Sequence, residues 1–267
     1  MKRITRIRER LQAEGADVFL VSNPVNRRYL TGFTGSAGLV WISNTRQAIL
    51  TDFRYLEQVK AECPGWELIR IESYVESLKT LIEEDKVQTI VFEKDYVTVK
   101  QMEDWQEKLS SQFIGITGWV EELRMIKSKE EIENIRKAAH IADEAFAKLL
   151  PTIRSGVTER EVALELEFLM RKAGASGMSF DPIVASGPRS ALPHARPGER
   201  IFSVGDFVVF DFGCIVNGYC SDMTRTIVIG EPEEKHLLIY DLVLEAQVKS
   251  LEAVGPGKTG VEIDAIA

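Results

Sequence analysis

Cysteine is scarce in this chain of 267 residues: only Cys63, Cys214 and Cys220 are present, and no two of them form a Cys-x-x-Cys pair. Neither a disulfide framework nor a zinc finger is indicated. Long apolar runs are missing as well. No stretch approaches the roughly 20 residues that a membrane span requires, and the N-terminus lacks the uninterrupted apolar core of a secretory signal. A cytoplasmic protein without a membrane partner is expected. A basic excess is absent too, since 33 Lys and Arg stand against 41 Asp and Glu for a net charge of -8. That balance argues against general affinity for nucleic acid or anionic lipid and favours a small or peptidic ligand.

What is present is ample apolar material, 45% of the residues, in a chain longer than one ordinary domain, so two globular domains are expected. The first carries an α/β pattern. Ile4, Ile7 and Leu11 recur at helical spacing among arginines, as on an amphipathic helix lying against a core. Strand candidates follow at Val18 to Val21, Gly38 to Ile42, Ala48 to Leu50, Leu68 to Ile71 and Thr89 to Phe92. Helix candidates between them carry Leu56 with Val59, Leu78 with Leu81 and Ile82, and Val99 with Met102 and Leu109. The texture changes between Glu121 and Ser128, and the domains are placed at residues 1–122 and 123–267.

In the second domain, Ser128 and Glu131 form a capping box, and Ile132, Ile135, Ala139, Ala142, Phe146 and Leu149 then repeat every three or four residues. A second capped helix opens at Thr158 and Glu161, with Val162, Leu166, Leu169 and Ala173 as its buried stripe and Gly174 as its stop. A third is expected from Glu233 to Val254, with Leu237, Tyr240, Leu244, Gln247 and Leu251 on one side. Thr259 and Glu262 open another, and the sequence ends barely two turns later, as if cut inside an element.

The most informative stretch runs from Asp206 to Gly230 and reads as a β-hairpin. Asn217-Gly218 suits a type I′ turn, because both positions need positive φ. That turn sets Val216 opposite Tyr219 and, counting outward, Gly213 opposite Asp222 and Asp211 opposite Thr224. Asp211 and Asp222 then share one face as diagonal neighbours, with Gly213 leaving space between them. Phe210, Phe212 and Met223 fill the other face as a core would. Two like charges on a partly apolar face raise the electrostatic energy, and a hard divalent cation would resolve the conflict. On a solvated face both aspartates would be ordinary surface residues, but such a face would normally also carry Lys or Glu, and this one does not. Cys214 and Cys220 should point to opposite faces.

Upstream, His194 sits in a proline-flanked loop, where a lone histidine is more often structural or exposed than functional. His140 and His236 read as packing or surface residues. Gly32, Gly35 and Gly38 lack the spacing and the following Lys-Ser or Lys-Thr of a phosphate loop, so nucleotide binding is rejected.

Phe210-Asp-Phe-Gly213, then Asp222-Met-Thr-Arg-Thr226, with Pro193-His194 upstream, closely resembles the methionine aminopeptidase and prolidase superfamily of pita-bread fold. Leu123-Arg-Met-Ile-Lys-Ser128 is similar to the start of its catalytic domain. Asn23-Pro24, Tyr29-Leu-Thr-Gly-Phe-Thr-Gly-Ser-Ala-Gly38 and Thr51-Asp-Phe-Arg-Tyr55 resemble the creatinase-type N-terminal domain of aminopeptidase P and prolidase. The resemblance implies an α/β creatinase-type domain followed by an incomplete α+β pita-bread domain. It further implies hydrolysis of the peptide bond preceding proline in short peptides, in a homodimer.

By the same resemblance, Asp211 and Asp222 are ligands of two divalent ions, His194 contacts the substrate or its tetrahedral intermediate, and Thr224 supports the ligands from behind. Manganese suits a mostly oxygen ligand set, with cobalt, zinc and iron open. The family's other ligands, a histidine and two glutamates, come from later segments, so this chain alone is expected to bind metal weakly and hydrolyse little. Three alternatives remain. A metal-free creatinase-like hydrolase is disfavoured by the two aspartates, and a simple methionine aminopeptidase would not need the first domain. The third is a non-catalytic pita-bread module that binds peptides or serves as a scaffold.

Overall fold

The computed structural model describes residues 2–267, and the chain divides into two compact units, Met1–Lys127 and Ser128–Ala267. In the first unit the elements are α1 (Lys2–Glu14), β1 (Val18–Val21), α2 (Pro24–Thr31), β2 (Leu39–Ser43), β3 (Gln47–Thr51), α3 (Leu56–Glu62), β4 (Glu67–Arg70), α4 (Tyr74–Asp85), β5 (Thr89–Glu93), α5 (Val99–Lys108), β6 (Gln112–Ile116) and α6 (Trp119–Met125). The six strands form one mixed sheet in the order β4-β3-β2-β1-β5-β6, antiparallel across β3-β2-β1 and parallel elsewhere.

Alternate residues of these strands feed two cores. Phe19, Val21, Val40, Ile42 and Ile49 pack with Ile4, Ile7 and Leu11 of α1, Val59 of α3 and Trp119 of α6. Val18, Leu20, Trp41, Leu50 and Ile90 pack with Leu78, Leu81 and Ile82 of α4 and Trp105 of α5. A sheet covered on both faces needs apolar residues at consecutive positions, which explains why its inner strands read as uninterrupted apolar runs. Trp119 and Val120 are buried in the first of these cores, with Leu123 packed against it. The division between units therefore falls after Lys127, a few residues beyond the 122/123 boundary read from the sequence.

Several elements were not anticipated, α2 and β6 among them. The α2 helix buries Asn26, Arg27 and Thr31 along with Leu30, so apolar periodicity could not show it. Its signals were Asn23, whose side chain accepts from the Val25 and Asn26 amides, Pro24 at the first turn and Gly32 at the end. The short β6 joins an edge of the sheet, beside β5, with three of its five residues exposed and the other two half-buried.

The second unit holds α7 (Lys129–Leu149), α8 (Glu159–Lys172), β7 (Gly177–Met178), β8 (Ile183–Ser186), β9 (Phe207–Phe212), β10 (Cys214–Val216), β11 (Tyr219–Cys220), β12 (Met223–Val228), α9 (Glu234–Ala253) and α10 (Gly260–Asp264). Capping boxes at Ser128/Glu131, Thr158/Glu161 and Thr259/Glu262 are all formed. The buried stripes are displaced from those expected. On α7 the stripe is Ala138, Ala142, Ala145, Phe146 and Leu149, while Ile132 is exposed and Ala139 half-buried. On α8 it is Val162, Ala163, Leu166 and Met170, with Ala173 exposed. The helices roll so that the small residues of α7 face the sheet, which lets Phe146 meet Phe210 edge-on and stack on Phe212, at centroid distances of 5.2 and 5.3 Å. No residue of α9 is buried, so the one-sided packing expected for it is not observed; it meets β9 through Phe207, whose ring lies against His236 and Tyr240. No helix among the described residues is long and apolar enough to cross a membrane.

Candidate functional site: a paired carboxylate on the hairpin

The turn at Asn217-Gly218 has φ of 50° and 85°, the left-handed pair that a type I′ hairpin needs. From it the register runs outward as Val216 opposite Tyr219, Ile215 opposite Cys220, Phe212 opposite Met223 and Asp211 opposite Thr224. That is the register counted from the sequence. Cys214 is buried, Cys220 is exposed, and both thiols are free, in keeping with opposite faces.

The ribbon does not continue as one sheet. At Gly213 it parts, β9 and β12 joining β8 on one side, β10 and β11 joining β7 on the other. The Ser179 hydroxyl lies 2.7 Å from the Ser221 carbonyl oxygen and 3.0 Å from that of Cys214, bracing the break. A Cβ on Gly213 would sit 1.9 Å from the Ser221 carbonyl oxygen. Gly213 is therefore needed for close backbone approach; it does not open a gap between the two aspartates, as the sequence had suggested.

Asp211 occupies β9, the middle strand of its sheet, paired with Ile183 on one side and Thr224 on the other. That central placement explains why its Oδ1 is buried, and this oxygen has no hydrogen-bond partner. Burial and then the charge of Asp222 hold the Asp211 carboxyl above the ordinary aspartate range. The neighbouring Thr224 side chain and the charge of His194 oppose that rise. Asp222 is exposed, beside the opening of the pair. Of the four residues singled out from the sequence, the hairpin register brings Asp222 and Thr224 to Asp211, while His194 lies on the exposed loop between β8 and β9, near enough for its charge to be felt at Asp211. The other histidines lie elsewhere, His140 exposed and 3.2 Å from Glu144, His236 against Phe207.

An orphaned buried carboxylate oxygen next to a second acid is costly unless a cation completes it. The donor set is all oxygen and suits a hard divalent ion. Among the described residues, no group of three or more His, Cys, Asp or Glu is placed to hold a metal ion, so the pair by itself falls short of a full ligand set. The sequence reading passed over Glu159, a fully buried acid bonded to both ends of the His194 loop. An acid in the first turn of a helix carries no pattern that separates a buried role from a solvated one.

Residues 3–126 match the Creatinase/Prolidase N-terminal domain family and residues 133–267 match Metallopeptidase family M24. The chain belongs to the M24 metallopeptidases, with a creatinase-type N-terminal domain followed by the pita-bread domain, and the fold expected from the sequence holds. Among solved structures it is similar to an Xaa-Pro dipeptidase from Bacillus anthracis, with a TM-score of 0.96 and 44% identity over 100% of this chain and 75% of that one. It is also similar to an X-Pro aminopeptidase from Thermotoga maritima MSB8, with a TM-score of 0.92 and 36% identity over 99% of this chain and 75% of that one. Among curated proteins, an uncharacterised peptidase of Bacillus subtilis (strain 168) is 40% identical over 266 residues, 99% of this chain and 75% of that protein. Its relatives are hydrolases of the metallopeptidase class.

Proposed function

We propose that this chain carries part of the active site of an Xaa-Pro metallopeptidase, which hydrolyses the peptide bond preceding proline in short peptides. The observation that carries the reading is the buried, unpartnered Oδ1 of Asp211 held beside Asp222. Asp211 and Asp222 would be the carboxylates that hold two divalent ions, and manganese fits the oxygen donors best. When bound, such ions polarise the scissile carbonyl and lower the pKa of water. The chain's own residues do the rest. Thr224, paired opposite Asp211 across the hairpin, would orient its carboxylate from behind. His194, exposed on its loop, would donate a proton or hydrogen bond to the oxygen that gains charge as the peptide carbonyl is attacked. The acidic protein as a whole offers nothing to hold nucleic acid, and a cytoplasmic homodimer is the setting we infer from the family.

Two carboxylates alone hold a divalent ion weakly, so the 267-residue chain is expected to respond to Mn²⁺ at roughly millimolar concentration. Thermal unfolding with and without Mn²⁺ tests this, and Asp222→Asn should remove the metal-dependent rise in melting temperature. An undiminished rise in that variant would remove Asp222 from the site. Assays on Gly-Pro beside longer peptides that begin Gly-Pro separate a dipeptidase, which cleaves the first, from an aminopeptidase, which prefers the second.

A further inference from the structure

Glu159 opens α8, yet its side chain is turned away from solvent completely. Its Oε1 accepts from the Ser186 amide at 2.9 Å and from the Ser186 hydroxyl at 2.8 Å, and its Oε2 accepts from the Gly198 amide at 3.1 Å. The Arg189 Nε lies 3.3 Å and 3.1 Å from the two oxygens. Ser186 and Gly198 are the two ends of the loop that carries His194, and Arg189 also donates through Nη2 to the Arg196 carbonyl inside that loop. Backbone bonds strengthen the same junction: the Glu159 amide donates to the Arg200 carbonyl and the Arg160 amide to the Gly198 carbonyl, each at 3.0 Å.

A buried carboxylate survives only where donors and a positive charge compensate it. Here three hydrogen bonds, a guanidinium and the positive end of α8 all converge on one group. The packing of α8 does not call for it, because the helix buries Val162, Ala163, Leu166 and Met170 against the core. What the ionised group does accomplish is closure. It ties both ends of a loop of about a dozen residues to one rigid helix, removing most of the freedom such a loop would have. Within the loop, the Leu192 amide donates to the Arg189 carbonyl at 2.9 Å, and Ala195, the neighbour of His194, is buried.

We propose that Glu159, acting with Arg189, is the positioning residue of His194, and that this clamp fixes the loop that presents its imidazole. The inference rests on the catalytic role proposed for His194, but its test does not. The 267-residue chain is compared with Glu159→Ala, Glu159→Gln and Arg189→Gln by amide hydrogen exchange, melting temperature and histidine ring NMR. Only three histidines are present, so His194→Gln identifies the His194 signal.

In Glu159→Ala, exchange across residues 187–197 is expected to rise about tenfold or more, from loss of charge-assisted hydrogen bonds. Exchange in β9 and β12 should stay within about twofold, and only the His194 ring signals should move toward those of a free side chain. Glu159→Gln keeps an acceptor but cannot pair with Arg189, and should fall between. Unchanged loop exchange and His194 signals in Glu159→Ala overturn the proposal, as does uniform loosening of the whole unit. Should Glu159→Ala fail to fold, Arg189→Gln decides by the same criteria, since it leaves the carboxylate in place. No metal or substrate enters these measurements, so a His194 without a catalytic part would leave the clamp standing, and a slack loop would leave the assignment of Asp211 and Asp222 untouched.

Discussion

Replacing Asp222 with Asn should make the metal-free protein more stable at neutral pH, although it removes a residue of the proposed site. The Asp211 carboxyl is held above its ordinary value of 3.8 by burial and then by Asp222. A carboxyl raised in the folded state binds its proton more tightly there than in the unfolded chain. The stability it contributes is present below pH 3.8 and is lost as pH rises through the raised value. Two unit charges in near contact repel by about 4 kcal/mol at an effective dielectric of about 20. Asp222 is exposed, and solvent screening reduces this to on the order of 1 kcal/mol. For a unit of this size that corresponds to a rise of roughly 3–6 °C in melting temperature.

The assay is thermal unfolding followed by circular dichroism in the presence of a chelator, at pH 8 and again near pH 3.5. The variant should melt higher than the wild-type protein at pH 8, and the difference should shrink at the acid end, where the raised Asp211 carboxyl takes up its proton and the repulsion fades. A variant that melts at or below wild type at pH 8, or that shows the same difference at both pH values, would refute the electrostatic reasoning. Stability given up to hold two acids together is what a site awaiting cations should display.

Two further perturbations probe the scaffold. Gly213→Ala places a methyl group where the Ser221 carbonyl oxygen is 1.9 Å away, and a backbone oxygen cannot swing aside, so the second unit should lose about 3 kcal/mol or more in denaturant unfolding. A loss below about 1 kcal/mol would mean that the break in the ribbon is soft. In the first unit, burial pushes the Glu93 carboxyl up, against bonds donated by the amides of Asn23 and Ser22 and the side chain of Asn26. Stability of that unit should therefore decline as pH rises from 4.5 through the raised value, and Glu93→Gln should flatten the decline. An identical pH slope in the variant would assign the effect to another group.

Much of this protein could be read from neighbours along the chain. Ser128 with Glu131, and Thr158 with Glu161, announce helix starts because the capping bonds span three residues. Asn217-Gly218 dictates the turn, and through the turn the register that pairs Asp211 with Thr224, because positive φ and a two-residue loop leave one alignment. The displaced stripes on α7 and α8 were not legible, since several faces of each helix are apolar enough and only the partner sheet selects one. The α2 helix escaped because its buried residues are mostly polar and are satisfied by distant groups, as Arg27 is by the Gly35 and Gly38 carbonyls.

For the site, the sequence by itself determined that two acids lie diagonally on one face of a hairpin, because strand geometry repeats every two residues. Tertiary structure decided that one oxygen of Asp211 is deprived of water and hydrogen bonds, because that depends on β8 lying alongside β9. It also tied down both ends of the loop that carries His194, through the buried Glu159 carboxylate on a helix well before that loop. Local rules set where a side chain points. Burial and electrostatic energy depend on what distant segments bring up against it, and those energies turn a pair of surface acids into a candidate metal centre.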